Sequence, residues 1–169
     1  MPANQNLIQV FRYALQQEET GKSFFLTSLQ RMGWGSAVSA FQRLIAEEEK
    51  HIFLIQRILE KLERGEAIDL ERTIALELEP KNYFEERSKA EFLQQCLEGS
   101  MVPEVTIFNT AWLIEKDLSE FYEKMAKQTE GKAREVFTFL SRWEKEHEKF
   151  FREFRDQFSE MYSKMPWGG

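Results

Sequence analysis

The stretches FQRLIAEEEKH, residues 41–51, and FTFLSRWEKEH, residues 137–147, share the pattern Phe-x2-Leu-x3-Glu-x2-His. They contain both histidines of the chain, His51 and His147, each three residues after a glutamate, Glu48 or Glu144. Residues three apart on a helix differ by about 60° in direction, so each glutamate and its histidine project from one face. The two stretches therefore predict two helices that each present a carboxylate and an imidazole on the same side.

A second repeat precedes each of these stretches and adds one more glutamate to each half of the chain. The pattern Ala14-x3-Glu18-x5-Phe24-Phe25 returns 97 residues later as Ala111-x3-Glu115-x5-Phe121-Tyr122. Glu19 lies beside Glu18, and only the match to Glu115 selects Glu18 between them. The chain thus consists of two similar halves, each with a single glutamate followed by a Glu-x-x-His pair.

Prolines and glycines predict where the helices begin and end. Prolines occur at positions 2, 80, 103 and 166, which leaves two long windows where helices can run without interruption. Glycines divide each window, with Gly65 and Gly131 as stops and Ser36 as an N-cap. We expect helices near 5–32, 36–64, 83–98, 103–130 and 132–164.

The connection between the two hairpins is long enough to cross a bundle. A helix of about 26 residues is about 40 Å long, and about a dozen extended residues cover a similar distance. Asn82 as a cap and Gly99 as a stop predict a short helix in this connection, while the alternation of Ile74, Leu76 and Leu78 is compatible with a short extended piece. The sequence predicts an all-α fold in one domain over residues 1–169: a four-helix bundle of two helical hairpins with a long crossover containing a short extra helix.

Composition excludes several classes of protein. The formal net charge of -6 argues against a surface that neutralises nucleic-acid phosphates, so we expect no nucleic-acid partner. The longest uncharged stretch, Met32 to Gln42, is far shorter than the roughly 20 apolar residues of a membrane span, so we expect no membrane partner. Cys96 is the single cysteine, which excludes an intrachain disulfide or a multi-cysteine metal site and favours a cytoplasmic location.

Four glutamates would lie on the apolar stripes of their helices, where an unpaired carboxylate is costly. Four carboxylates and two neutral imidazoles carry a total charge of -4, which two divalent cations cancel. Mixed oxygen and imidazole donors suit iron, manganese or zinc. The sequence therefore predicts a dimetal centre, with the candidate ligands Glu18, Glu48, His51, Glu115, Glu144 and His147.

This arrangement of glutamate helices followed by Glu-x-x-His helices resembles the ferritin-like di-iron carboxylate superfamily, particularly its rubrerythrin-type branch. The resemblance covers nearly the whole chain and implies that the metal is iron. It also implies one role for each ligand pair: Glu18 and Glu115 as terminal ligands, Glu48 and Glu144 as bridging carboxylates, and His51 and His147 as one imidazole per metal.

The chain departs from the rubrerythrin pattern in two respects. Rubrerythrins have a further glutamate one turn after the third-helix ligand, and this chain has Leu118 there, so its ligand set is similar to the symmetric six-ligand site of bacterioferritins. The paired Cys-x-x-Cys motifs of a rubredoxin domain are also missing, so electrons are expected to come from a separate donor protein.

The resemblance implies an oxidoreductase acting on hydrogen peroxide or dioxygen, either a rubrerythrin-like peroxidase or a ferroxidase, in a homodimer. Two alternatives stay open on the residues alone. The bundle could bind or store iron or zinc without turnover, or it could be a metal-free helical partner protein whose carboxylates are protonated or paired with lysines.

Residues around the ligands have simpler expected roles. Tyr122 lies seven residues beyond Glu115 on the same helix face, where it forms a hydrogen bond near the metals, donates an electron or packs in the core. The glutamates that flank the ligands are expected on solvated helix faces: Glu47, Glu49, Glu146 and Glu148.

Overall fold

The computed structural model describes residues 2–32, 36–68 and 105–164 of the chain. Four helices make up most of these residues: α1 (Pro2–Met32), α2 (Ser36–Glu63), α3 (Val105–Gln128) and α4 (Gly131–Lys164). α1 packs along α2 and α3 packs along α4, whereas α1 and α3 touch at fewer points. The predicted all-α bundle of two helical hairpins is confirmed. The expected helix at 83–98, the apolar alternation at 74–78 and Cys96 lie outside the described residues.

Helix α1 begins three residues earlier than expected, at Pro2 rather than residue 5. Proline suits the first turn of a helix, because its fixed φ is helical and no backbone donor is needed there. None of the helices in the described ranges is both long enough and apolar enough to cross a membrane.

Helix α2 ends in a Schellman motif at Gly65, the residue at which the sequence predicts a stop. Gly65 has a φ of 74°, and its N–H donates to the carbonyl of Leu62 at 3.0 Å. The N–H of Glu66 donates to the carbonyl of Lys61 at 2.9 Å, which completes the motif. The chain then turns so that Ile68 packs against the hydrophobic core.

The link between α3 and α4 differs from the expected one. Gly131 was expected to end α3, but α3 ends at Gln128 and Gly131, with a φ of 60°, is the first residue of α4. The last carbonyls of α3 accept side-chain hydrogen bonds, from the Thr129 hydroxyl to Met125 O at 2.7 Å and from Arg134 Nε to Ala126 O at 3.0 Å. These side-chain caps end α3 before the glycine is reached.

The apolar interior consists of two clusters, one toward each end of the bundle. The first cluster includes Phe11, Leu54, Ile55, Tyr122 and Phe137, and the second includes Phe25, Phe41, Phe108, Phe150 and Phe151. Between these clusters every helix contributes charged residues to the interior. The fold therefore places a polar layer between two apolar clusters.

We expect Phe137→Ala to lower the free energy of unfolding by about 3–5 kcal/mol, because Phe137 is fully buried and stacks on Phe11 with ring centroids 4.7 Å apart. Phe53→Ala is the matched control, since Phe53 is 41% exposed and should lose about 1 kcal/mol or less. Urea denaturation followed by circular dichroism measures both changes. Equal losses in the two variants would contradict this assignment of the core.

Candidate metal centre

The polar layer is formed by six side chains, with one or two from each helix. All six are at most 1% exposed: Glu18 from α1, Glu48 and His51 from α2, Glu115 from α3, and Glu144 and His147 from α4. The spacing of the repeats produces this convergence, because each Glu and its His three residues later lie on the inward face of one helix. The structure thus brings together all six residues that the sequence singled out.

These side chains form two groups, each of which could hold one metal ion. One group is Glu18, Glu48, His51 and Glu144, and the other is Glu48, Glu115, Glu144 and His147. Within each group, one ligand atom per residue lies within 4.8 Å of all the others. Glu48 and Glu144 belong to both groups, whereas every other member belongs to only one.

The two shared carboxylates direct their oxygens toward different histidines. Glu144 Oε1 lies 2.8 Å from His51 Nδ1, and its Oε2 lies 3.3 Å from His147 Nδ1. Glu48 Oε2 lies 3.8 Å from His51 Nδ1, and its Oε1 lies 3.4 Å from His147 Nδ1. Ligands at about 2.0–2.2 Å from one ion lie about 3 Å apart, so these separations suit donors around a shared cation.

The remaining glutamates each approach one histidine. Glu18 Oε1 lies 3.7 Å from His51 Nδ1, and Glu115 Oε2 lies 3.6 Å from His147 Nδ1. The imidazole rings are nearly parallel, with centroids 6.1 Å apart and an interplanar angle of 24°. This geometry fits two adjacent metal positions, each with one imidazole donor.

The hydrogen-bonding needs of this layer are largely unmet. Seven of the eight carboxylate oxygens of Glu18, Glu48, Glu115 and Glu144 are buried and accept no well-oriented hydrogen bond from the described residues. Buried carboxylates without partners are costly, and divalent cations are the partners that satisfy several such oxygens together. The donor set therefore fits two divalent ions.

Burial and crowding shift the pKa values of the carboxyl groups in different directions. Burial, followed by the negative charge of Glu144, raises the pKa of Glu18, and it raises those of Glu48 and Glu115 well above the ordinary value. Burial alone would also raise the pKa of Glu144, but the positive charge of His51 holds it well below the ordinary value.

Both imidazoles are held in the charged form when they have only protein neighbours. Burial opposes the charge, but Glu144 raises the pKa of His51 well above its ordinary value. Glu115 does the same for the pKa of His147. Protons on these groups therefore compensate the carboxylates until metal ions replace them.

Tyr122 lies on the inward face predicted for it. Its hydroxyl donates a hydrogen bond to Glu18 Oε1 at 2.5 Å, which joins α3 to α1. Burial and the negative charges of Glu18 and Glu144 raise the pKa of Tyr122 well above its ordinary value, so the phenol stays protonated. Phe25, the repeat counterpart of Tyr122, packs in the second apolar cluster and has no hydroxyl to donate.

The expectation for the flanking glutamates was wrong at Glu47. Its side chain is fully buried, and Oε1 lies 3.2 Å from Lys50 Nζ. Glu49 and Glu146 are exposed as expected. Glu148 is half-buried and accepts a hydrogen bond from the indole of Trp112 at 3.2 Å. Burial of Glu47 follows from its position four residues before His51, one turn along the same side of α2.

Trp143 is a neighbour of the site that the sequence did not single out. Its ring meets the His51 imidazole edge to face, with centroids 5.6 Å apart. Trp143 precedes Glu144 as Glu47 precedes Glu48, and because the two halves do not match at this position, the repeat gave no signal for either residue. The two halves therefore differ next to their shared ligands, with an indole in one and a carboxylate in the other.

Comparison with known proteins agrees with this geometry. The rubrerythrin family profile matches residues 9–155, which include α2 and α3 in full, most of α1 and α4, and all six polar residues of the layer. The chain belongs to the rubrerythrin family. No curated protein and no solved structure gives a significant match. Membership in the rubrerythrin family and the buried cluster of carboxylates and imidazoles together indicate a dimetal site.

We expect the metal-free protein to lose stability as the pH rises above about 4.5, where the carboxyl groups of the unfolded chain release their protons, and further above about 6.5, where its imidazoles do. The pKa values of Glu18, Glu48, Glu115, His51 and His147 are raised above the ordinary 4.5 and 6.5, so the folded site holds more protons at a given pH than the same groups hold in the unfolded chain. The unfolded chain releases these protons at the ordinary values, so rising pH favours unfolding until the raised pKa values are passed. The lowered pKa of Glu144 contributes stability that is lost only as the pH falls below 4.5.

Urea denaturation in the presence of a chelator, at about pH 6 and about pH 9, measures this dependence. The double variant Glu48→Gln with Glu115→Gln is the control, because it removes two of the titrating groups and should flatten the dependence. Stability that is constant or rising over this range would contradict the protonated state of the metal-free site.

We expect Tyr122→Phe to weaken metal binding by about 10–100-fold, since the variant loses only the hydroxyl that orients Glu18. Tyr13→Phe is the control, because Tyr13 is 50% exposed and its ring contacts Phe121 rather than a ligand. Competition with a chromophoric chelator measures both affinities. Equal affinities in the two variants would show that the hydroxyl does not support the site.

Proposed function

We propose that this protein is a di-iron oxidoreductase that reduces hydrogen peroxide or dioxygen. The observation that carries the proposal is the sharing of Glu48 and Glu144 between two groups of ligands, each completed by one histidine and one further glutamate. Such sharing suits two adjacent ions rather than one. Iron is the proposed metal because the chain belongs to the rubrerythrin family and the donors are oxygen and imidazole.

The six side chains take the roles that their positions suggest. Glu18 and Glu115 are proposed as terminal ligands, Glu48 and Glu144 as bridging ligands, and each histidine as the nitrogen ligand of one ion. Iron held there in the ferrous state would supply the two electrons that, together with two protons, reduce one hydrogen peroxide molecule to two water molecules.

The protein around the ligands controls water and protons. Phe25, Phe41 and Phe108 on one side and Phe11 and Phe137 on the other keep bulk water out of the layer. Tyr122 holds Glu18 in place through its hydroxyl and keeps its own proton at neutral pH. Imidazole and carboxyl protons released on metal binding leave the donors ready to coordinate.

The source of electrons distinguishes two possible activities, peroxidase and ferroxidase. If a separate donor protein returns electrons to the ferric ions, the protein works as a peroxidase. If fresh ferrous ions are themselves the reductant, it works as a ferroxidase. Both forms use the same six ligands, and we propose a homodimer in the cytoplasm as the working state.

A non-catalytic binding function is the second candidate, because the same oxygen and imidazole donors also accept zinc, which has no redox chemistry. Under this function the bundle stores or carries an ion. Metal identity and turnover, measured on the same preparation, separate the two candidates.

We expect close to two iron atoms per wild-type chain and almost none in the Glu48→Ala/Glu144→Ala double variant, because this variant removes both shared carboxylates. The control is Glu49→Ala with Glu146→Ala, which removes two exposed glutamates from the same helices and should keep full metal content. Plasma mass spectrometry on untagged protein from iron-supplemented cells measures the metal. Iron in all three proteins would refute the ligand assignment.

Turnover is tested on the same proteins. Anaerobic ferrous protein, mixed with one equivalent of hydrogen peroxide per chain in a stopped-flow instrument, should oxidise both ions in one fast phase. The Glu49→Ala/Glu146→Ala control should behave as the wild type. A wild-type protein that holds two metal ions but fails to oxidise them with either peroxide or dioxygen would establish the binding function instead.

A further inference from the structure

A groove of about 440 Å³ runs between α1 and α3 on the surface of the bundle. Its walls include Tyr13, Gln17 and Gly21 from α1 and Ile114, Leu118 and Phe121 from α3. These two helices touch at fewer points than the helices within each hairpin, which leaves room for the groove. Glu18 and Glu115 are on the same two helices, so the groove lies beside the dimetal layer.

Two residues of the groove also face the interior. Gly21 is three residues beyond Glu18, and Leu118 is three residues beyond Glu115. Each therefore lies about one helical turn from its glutamate and on nearly the same face of the helix. Both are buried, and the 97-residue offset that relates the two glutamates also relates Gly21 to Leu118. Gly21 and Leu118 therefore form the floor between the groove and the carboxylates.

Gly21 is an unfavourable residue for the middle of a helix, costing about 1 kcal/mol relative to alanine. Close packing does not require it, because a Cβ at this position would lie 3.4 Å from Ile114 Cγ2, an ordinary contact. The missing side chain leaves room for a methyl group in the floor of the groove, in contact with Ile114. A larger residue at position 21 would fill that space.

Packing closes the other approaches to the layer more tightly. The two apolar clusters cover it along the bundle axis. On the α2 and α4 side, Trp143 packs against His51 and the Glu47 carboxylate is paired with Lys50. The gap between α1 and α3, in contrast, has open volume next to the turns that carry Glu18 and Glu115.

We propose that this groove is the route by which small oxygen species reach the dimetal site, with Gly21 and Leu118 as the residues that set its width. The inference rests on the proposed function. The groove is lined by the apolar side chains of Ile114, Leu118 and Phe121 and by polar or charged ones, so it selects small molecules such as dioxygen and hydrogen peroxide by size rather than by charge. The polar and charged lining residues are Thr20, Asp117, Glu120 and Lys124. A route between α1 and α3 delivers them beside Glu18 and Glu115, away from the histidines.

The test uses Gln17→Trp, which places a large side chain in the groove without changing the inward face of α1. The matched control is Gln16→Trp, one residue earlier on the same helix, where the side chain is exposed and does not line the groove. Both variants are loaded with iron and oxidised, and azide serves as a small probe whose binding changes the visible absorption of the ferric ions.

An obstructed route slows entry and exit alike and leaves the equilibrium unchanged. In Gln17→Trp we expect the association and dissociation rate constants of azide both to fall about tenfold, with the same Kd and iron content. Gln16→Trp should match the wild type. As a second variant, Leu118→Ala widens the floor and should raise both rate constants together.

Three results would overturn the inference. Unchanged rate constants in iron-loaded Gln17→Trp would show that azide enters elsewhere. A changed Kd with an unchanged association rate constant would show that the tryptophan distorts the site rather than blocks a route. A wild-type protein that binds no iron would refute the proposed function first and the route with it, whereas the other two results leave the proposed function intact.

Discussion

The mutual repulsion of four buried carboxylates is the constraint on which the rest of the molecule depends. Each of Glu18, Glu48, Glu115 and Glu144 lies on the inward side of its helix, where water cannot solvate its charge. Without metal, protons held within the layer reduce the repulsion, because the pKa values of three of the glutamates and both histidines are raised. Two divalent cations would remove it more completely, because each would bind several oxygens at once.

The two apolar clusters make this layer possible. Each helix gives aromatic or aliphatic residues to one or both clusters and charged residues to the layer between them, so burial of apolar surface offsets the cost of burying charge. Phe11 stacked on Phe137 and Phe25 stacked on Phe151 stand on opposite sides of the layer. The same side chains that stabilise the bundle thus keep the site dry.

Much of this arrangement could be predicted because helical period and repeat spacing alone determine which residues share a face. The repeat selected Glu18 over Glu19, and of the two it is Glu18 that lies in the buried layer, while Gly65 ends α2 as expected. Glu47 could not be assigned in this way, since a glutamate beside a ligand looks the same in sequence whether or not a neighbouring helix covers it. The Tyr122–Glu18 hydrogen bond joins residues 104 positions apart, so its formation depends on how closely α1 approaches α3.

The ligands follow the internal repeat, but their neighbours do not, and this difference sets the two metal positions apart. Tyr122 supports Glu18, whereas its counterpart Phe25 can support nothing by hydrogen bonding. Trp143 and Glu47 occupy equivalent positions of the repeat, but one has an indole and the other a carboxylate. Gly21 and Leu118 are also at equivalent positions, and Leu118 is much larger. A duplicated set of ligands provides equal charge and equal donors at both positions. Unequal neighbours then give the two positions different hydrogen bonding and polarity, which are the properties by which a protein tunes bound metals.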